Sequence, residues 1–160
     1  MSIYDRLSAM EIELSRASRP PAAYVPYTIA DRLILVSGHL AYRDGAPWVG
    51  RLGEGMSTED GRTAARSVGL SLLGTLEEAA RSVDTDLNGI QRILKIVALV
   101  NATADFTQSH LVANGCSDLF NEVFGPRGAH ARSAFGVAQL PMGACVEFEL
   151  MAELADQVAR

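Results

Sequence analysis

Only two cysteines, Cys116 and Cys145, occur in the 160 residues. Two thiols cannot build a disulfide framework, and their spacing does not match a pair of metal ligands. Cationic excess is also missing. The net charge is −5 and the pI is about 5.1, whereas binding a phosphate backbone calls for a basic stripe. Long hydrophobic runs are absent too. The longest lie at 33–37 and 96–100, far short of the roughly 20 apolar residues of a membrane span. The opening stretch MSIYDRLSAMEIELSR carries acids early and lacks an apolar core followed by a cleavage site. A secretory signal is therefore not expected. No GxGxxG, GxxxxGK[ST], HExxH or GxSxG occurs, which leaves the usual nucleotide, zinc-protease and hydrolase readings without support. The expectation is a soluble cytoplasmic protein with reduced thiols, bound to neither nucleic acid nor membrane.

What is present is ordinary globular composition, 48% apolar and 21% charged, at a length that suits one domain. Residues 2–16 read as a short helix capped by Ser2, with Ile3, Leu7, Met10 and Leu14 in one stripe. Pro20 and Pro21 stop it, so residues 1–19 form an N-terminal helical extension and 20–156 a single domain. Residues 23–40 read as a hairpin turning at Ala30-Asp31, followed by a glycine-rich loop with one candidate strand near Trp48-Val49. The strongest pattern is a helix from Thr58 to Val83, capped by Ser57 or Thr58. Its stripe is Ala65, Val68, Leu72, Leu76, Ala79 and Val83. Gly69 and Gly74 either weaken it or let it approach a sheet closely. Ile93–Val100 reads as a central strand, and Phe106–Phe124 contains a second helix ended by Gly125-Pro126.

The last segment predicts a β-hairpin, with strands over 132–139 and 144–154. In the second strand Val146, Phe148, Leu150, Ala152 and Leu154 alternate with Cys145, Glu147, Glu149, Met151 and Glu153. The predicted fold class is α+β, a mainly antiparallel sheet with two long helices on one face. His39, His110 and His130 do not pair at metal spacing, and Cys116 and Cys145 read as packing residues.

Two acids on one strand face, Glu147 and Glu149, are costly unless wet or paired. Two readings stand. Either the face is solvated and Arg132 is a surface cation, which pattern alone favours, or the face lines a cleft. In a cleft an arginine grips a carboxylate through parallel hydrogen bonds and a glutamate serves as general acid or base.

The stretch Arg132-Ser133-Ala134-Phe135-Gly136-Val137-Ala138-Gln139-Leu140-Pro141 resembles the C-terminal signature of the Rid (YjgF) family. Val146-Glu147-Phe148-Glu149 matches the end of that signature at the expected spacing. Pro21-Ala22-Ala23-Tyr24-Val25-Pro26-Tyr27 is similar to the family's N-terminal motif, and Ile34-Leu35-Val36-Ser37-Gly38 to its strand ending in Ser-Gly. Lys95 through Phe106 lines up with the strand and loop before the second helix. The resemblance covers about residues 20–154.

The resemblance implies a chorismate mutase-like fold and a homotrimer with sites in clefts between subunits. It implies hydrolysis of reactive enamines and imines to 2-oxo acids and ammonia, without metal or organic cofactor. Arg132 then matches the arginine that binds the substrate carboxylate, and Glu147 the glutamate that positions water. Tyr27, Ser37 and Asn114 match pocket residues. Ala134 stands where a cysteine is usual and would act through its backbone. His39 replaces a common glutamine. The N-terminal helix, an insertion near 107–113 and the Gly115-Cys116-Ser117 stretch suggest a divergent subgroup. The competing functions are a non-catalytic trimer that senses a small carboxylic acid, a ribonuclease or translation inhibitor, and a chaperone-like protein. The acidic charge balance counts against the ribonuclease.

Overall fold

The computed structural model describes residues 1–15 and 23–156. Pro20 and Pro21, expected to stop the first helix, lie outside the described residues, as does the boundary placed at 19–20. Strands β1 (Tyr27–Ala30), β2 (Leu33–Leu40), β7 (Ile90–Asn101), β8 (Ala131–Val137) and β9 (Val146–Leu154) form one sheet in the order β1-β2-β9-β7-β8. Helices α2 (Thr58–Arg81) and α3 (Ser109–Phe124) cover one face of it. Between β2 and α2 lie four two-residue strands, β3 (Tyr42–Arg43), β4 (Ala46–Pro47), β5 (Arg51–Leu52) and β6 (Gly55–Met56), in two small sheets. The α+β class and the helices on one face are thus as the sequence indicates.

Helix α2 starts where its chemistry dictates. Ser57 accepts from the Asp60 amide while the Asp60 carboxylate returns to the Ser57 amide, satisfying two orphan donors reciprocally. Its stripe of Ala65, Val68, Leu72, Leu76 and Ala79 is buried; Val83 lies just past the helix end and packs only in part. Gly69 serves a helix rather than the sheet: a Cβ there would sit 2.8 Å from Leu119 Cδ2 of α3. Gly74 makes room for the Ser15 carbonyl, which a Cβ would meet at 2.2 Å.

The final hairpin is corrected. Strand β8 pairs in parallel with β7, and β9 pairs antiparallel with β7 and with β2, so β7 separates the two segments expected to be partners. The cause is the connection. Helix α3 carries the chain from the end of β7 back to the start of β8, and strands joined by such a crossover run parallel. The link from β8 to β9 passes through a 3-10 turn at Pro141–Gly143, with Met142 and Gly143 at φ 56° and 70°. Asn101 clamps that link, its amide donating to the Cys145 carbonyl and its side chain to the Ala144 carbonyl. Strand β8 is consequently an edge of the sheet.

Helix α1 (Ile3–Ala9) is shorter than the predicted 2–16. Glu11 adopts φ 56° and ends the helical path. The apolar stripe nevertheless docks on the body of the domain. Ile3 and Leu7 are buried, while Met10, Ile12 and Leu14 pack against the core in part. The Ile3 amide donates to Asn88 Oδ1 at 3.0 Å, and Arg6 Nη1 to the Val123 carbonyl at 3.2 Å. Leu7→Ala should therefore cost about 2–4 kcal/mol by opening a cavity under α1, read as a lower denaturant midpoint at unchanged slope. A change within experimental error would mean that α1 is a loose appendage.

Candidate functional site

Strand register assigns each predicted site residue to a face. Arg132 lies opposite Ile96, and Ile96 opposite Leu150; both partners are buried beneath the helices. Ala134 lies opposite Ala98 on that same face. Glu147 lies opposite Leu99 and Leu40, on the face that no helix among the described residues covers, with Glu149, Val97 and Lys95. Within one chain, Arg132 and Glu147 are on opposite faces of the sheet.

Arg132 is brought together with Asn114. Its Nη1 donates to Asn114 Oδ1 at 2.9 Å and to Ser117 Oγ at 3.1 Å, and its Nη2 donates to the His110 carbonyl at 3.2 Å. All three acceptors are neutral, and among the described residues no carboxylate pairs with this guanidinium. A guanidinium has five N–H donors. One on Nε and one on Nη2 remain without a protein partner among the described residues. The result is a half-buried, immobilised positive charge at a sheet edge, suited to a bidentate carboxylate.

Ser117 and His130 belong to this cluster and sequence reasoning missed them. The signal available was spacing: Ser117 follows Asn114 by one helical turn, and His130 precedes Arg132 by two residues at the start of the strand. Cys116 is buried beside them, and burial pushes its thiol well above the usual range. Among the described residues no three His, Cys, Asp or Glu side chains converge as a metal site requires.

Glu147 sits over a bulge in β2. Register shifts between Val36 and His39, so Ser37 and Gly38 together oppose one residue of β9. A Cβ on Gly38 would lie 2.1 Å from Glu147 Oε1, so glycine makes the space for the carboxylate. Burial, then the neighbouring Glu149 charge, raise the Glu147 carboxyl above its usual range. Ser37 Oγ donates to the Val25 carbonyl at 2.7 Å, tying the segment before β1 to the bulge. Tyr27 is half-buried opposite Val36 and packs against the core. Ser37 and Glu149 also line an open cavity of about 440 Å³ on the uncovered face, together with Tyr24, Thr28, Lys95 and Met151.

The bulge is anchored from behind by His39. Its Nδ1 lies 2.7 Å from the Ser37 carbonyl and its Nε2 2.8 Å from Thr75 Oγ1 of α2. Burial holds the rings of both His39 and His130 below the usual imidazole range. The unfolded chain therefore takes up protons first as pH falls, and stability is lost on acidification through about pH 6.5 and below. The denaturant midpoint should drop between about pH 8 and pH 5.5, and less steeply in His39→Gln. Equal slopes would remove His39 as a contributor.

A family described as "YjgF/chorismate mutase-like, putative endoribonuclease" matches residues 4–154. The chain belongs to this YjgF (Rid) family. Protein TCP17 of Trypanosoma cruzi is 39% identical over 150 residues, covering 92% of this chain and 91% of that protein. The solved structure of Atu1372 from Agrobacterium tumefaciens, of unknown function, is 33% identical with a TM-score of 0.84, covering 96% of this chain and 92% of that one. A "putative endoribonuclease" from Shewanella oneidensis reaches a TM-score of 0.89 at 26% identity, covering 96% of this chain and 100% of that one. The chorismate mutase-like fold of this YjgF-family chain is thereby shown. The family match begins at residue 4, inside α1, so it takes in the N-terminal segment as well. No helix among the described residues is long and apolar enough to cross a membrane.

Proposed function

We propose that this YjgF-family protein hydrolyses reactive enamine and imine intermediates to 2-oxo acids and ammonia, in a homotrimer whose sites lie between subunits. The observation that carries this reading is Arg132. A fixed guanidinium with three neutral acceptors and, among the described residues, two N–H donors left over is a receptor for a small carboxylate. Asn114 holds it, and Ala134 follows on the same strand face with its backbone beside the substrate. An imine carbon is already electrophilic, so no covalent nucleophile is required. The site must hold the carboxylate, place a water roughly 3 Å from the carbon and manage protons. Glu147, whose raised proton affinity brings it nearer to neutral pH, positions and activates that water. Tyr27 and Ser37 shape the pocket wall. No metal or organic cofactor takes part in this scheme.

Because Arg132 and Glu147 occupy opposite faces of one sheet, a site that uses both must draw them from two chains. The uncovered face supports such an assembly. Leu33, Leu35, Phe135 and Met151 are each 39–47% exposed on it, a patch that suits burial against a second copy. Light scattering should give three times the 17.1 kDa chain mass, and a monomer would sink the shared site.

The activity is tested by generating an imine with an amino-acid oxidase or a dehydratase and trapping what remains with semicarbazide. Trapped semicarbazone should fall as protein is added, and no acceleration over spontaneous hydrolysis would overturn the enzyme reading. The opposed faces favour one second reading, a trimer that only binds small carboxylates, since the Arg132 cradle is complete without Glu147. That protein would bind 2-oxo acids yet never outpace spontaneous hydrolysis. In neither reading is nucleic acid a partner, given the net charge of −5.

A further inference from the structure

Ser117 and His130 are not used by the proposed chemistry, yet they are arranged in a directional chain that ends on Arg132. His130 Nδ1 lies 2.6 Å from the Gly128 carbonyl. A carbonyl only accepts, so Nδ1 carries the proton and the neutral ring offers Nε2 as an acceptor. Ser117 Oγ is 2.9 Å from that Nε2. Ser117 therefore directs its one hydrogen at the imidazole and turns its lone pairs toward Arg132 Nη1, 3.1 Å away. Ser117 is only 8% exposed, so water competes weakly for these bonds.

We propose that Ser117 and His130 are positioning residues of the Arg132 carboxylate site, and that the chain from the Gly128 carbonyl through them sets both the pose of the guanidinium and its affinity for an anion. The inference rests on Arg132 being the anion-binding group. A proton arriving at Nε2 turns that atom from acceptor to donor. Ser117 Oγ then accepts from both His130 and Arg132, and its own hydrogen is released to another acceptor. A second positive charge now stands behind the guanidinium, so a carboxylate is held more tightly. By linkage, a bound anion raises the proton affinity of His130.

His130 is the imidazole in hydrogen-bond contact with this chain. Burial lowers its affinity for a proton, the Gly128 carbonyl partly offsets this, and the Arg132 charge lowers it further. On α3, Cys116 is held neutral by burial, and Asp118 and Glu122 are paired with Arg62 and Arg66 of α2. His110 meets the guanidinium through its backbone carbonyl. In the turn before β8, Arg127 donates to the Asn88 and Ile90 carbonyls. Lys95 of β7 donates to Ser133 on the other face.

The test uses the intact protein and pyruvate, a small 2-oxo acid that stays ionised throughout. Calorimetry should show wild-type protein binding pyruvate at least about threefold more tightly at pH 5.5 than at pH 7.5, the range in which histidine titrates. His130→Gln keeps an acceptor for Ser117 but cannot titrate. It should lose the pH dependence, binding pyruvate with the same affinity at pH 5.5 and pH 7.5. Ser117→Ala removes one of three acceptors from a charged donor and should weaken binding roughly fivefold at both pH values. Without any ligand, the imidazole titration followed by NMR should show the His130 midpoint rising in Arg132→Ala. An undiminished pH dependence in His130→Gln, or an unmoved midpoint in Arg132→Ala, overturns the relay. Failure of the underlying site reads differently: wild type that binds no pyruvate, or Arg132→Ala that binds it as wild type does, removes the anion site and the inference with it.

Discussion

Replacing Arg132 with alanine should weaken binding of a small 2-oxo acid by roughly thirty- to a thousand-fold, the 2–4 kcal/mol expected for a charge-assisted bidentate contact. Turnover of an enzymatically generated imine should nearly vanish. The fold should survive, because among the described residues the guanidinium is bonded only to Asn114, Ser117 and the His110 carbonyl, and none of these carries a charge that would be stranded. Arg132→Lys should recover only part of the affinity. An ammonium is a point charge and cannot hold Asn114 and Ser117 while presenting a flat pair of donors to the ligand. Affinity within twofold of wild type in Arg132→Ala, by calorimetry, would show that the carboxylate lies elsewhere.

Glu147→Gln should separate binding from chemistry. The amide keeps the shape of the side chain in the space left by Gly38, and Arg132 lies on the other face of the sheet. Carboxylate affinity should therefore stay near wild type, while the imine hydrolysis rate falls by about 10²–10⁴ with the loss of the base. The wild-type rate should decline as pH falls through the raised titration of Glu147, since the ionised form is the active one. A variant that keeps full rate would remove Glu147 from the chemistry and leave hydrolysis to the Arg132 side of the site.

Much of this architecture is readable from local chemistry. The cap at Ser57, the stripe from Ala65 to Ala79 of α2 and the alternation of β9 are each set by residues close in sequence, and each is present in the structure. Strand partnership is not readable in the same way. Period two in residues 132–154 fixes which side chains share a face but carries no information on which strand lies alongside. Only the crossover through α3 makes β8 parallel to β7 and pushes β9 to the other side. The N-terminal stripe illustrates a different limit. Met10, Ile12 and Leu14 still reach the core after the helix has ended at Ala9, because burial needs apolar side chains in the right place rather than a continuous helix. At the site, the neighbourhood of Asn114 and Arg132 was anticipated through the family resemblance. The relay of Ser117 and His130 was not, since hydrogen bonds spanning 13 and 15 residues across a turn leave no periodic trace. The opposition of Arg132 and Glu147 across the sheet follows from register alone and could be seen only once β7 was known to lie between them.

That opposition also supplies the most direct measurement. Arg132→Ala and Glu147→Gln, each nearly inactive alone, should be refolded together in equal amounts and assayed for imine hydrolysis. If each site takes Arg132 from one subunit and Glu147 from its neighbour, random mixing regenerates intact sites at about one interface in four, and about a quarter of wild-type activity returns. Mixed oligomers no more active than either parent would contradict the shared site.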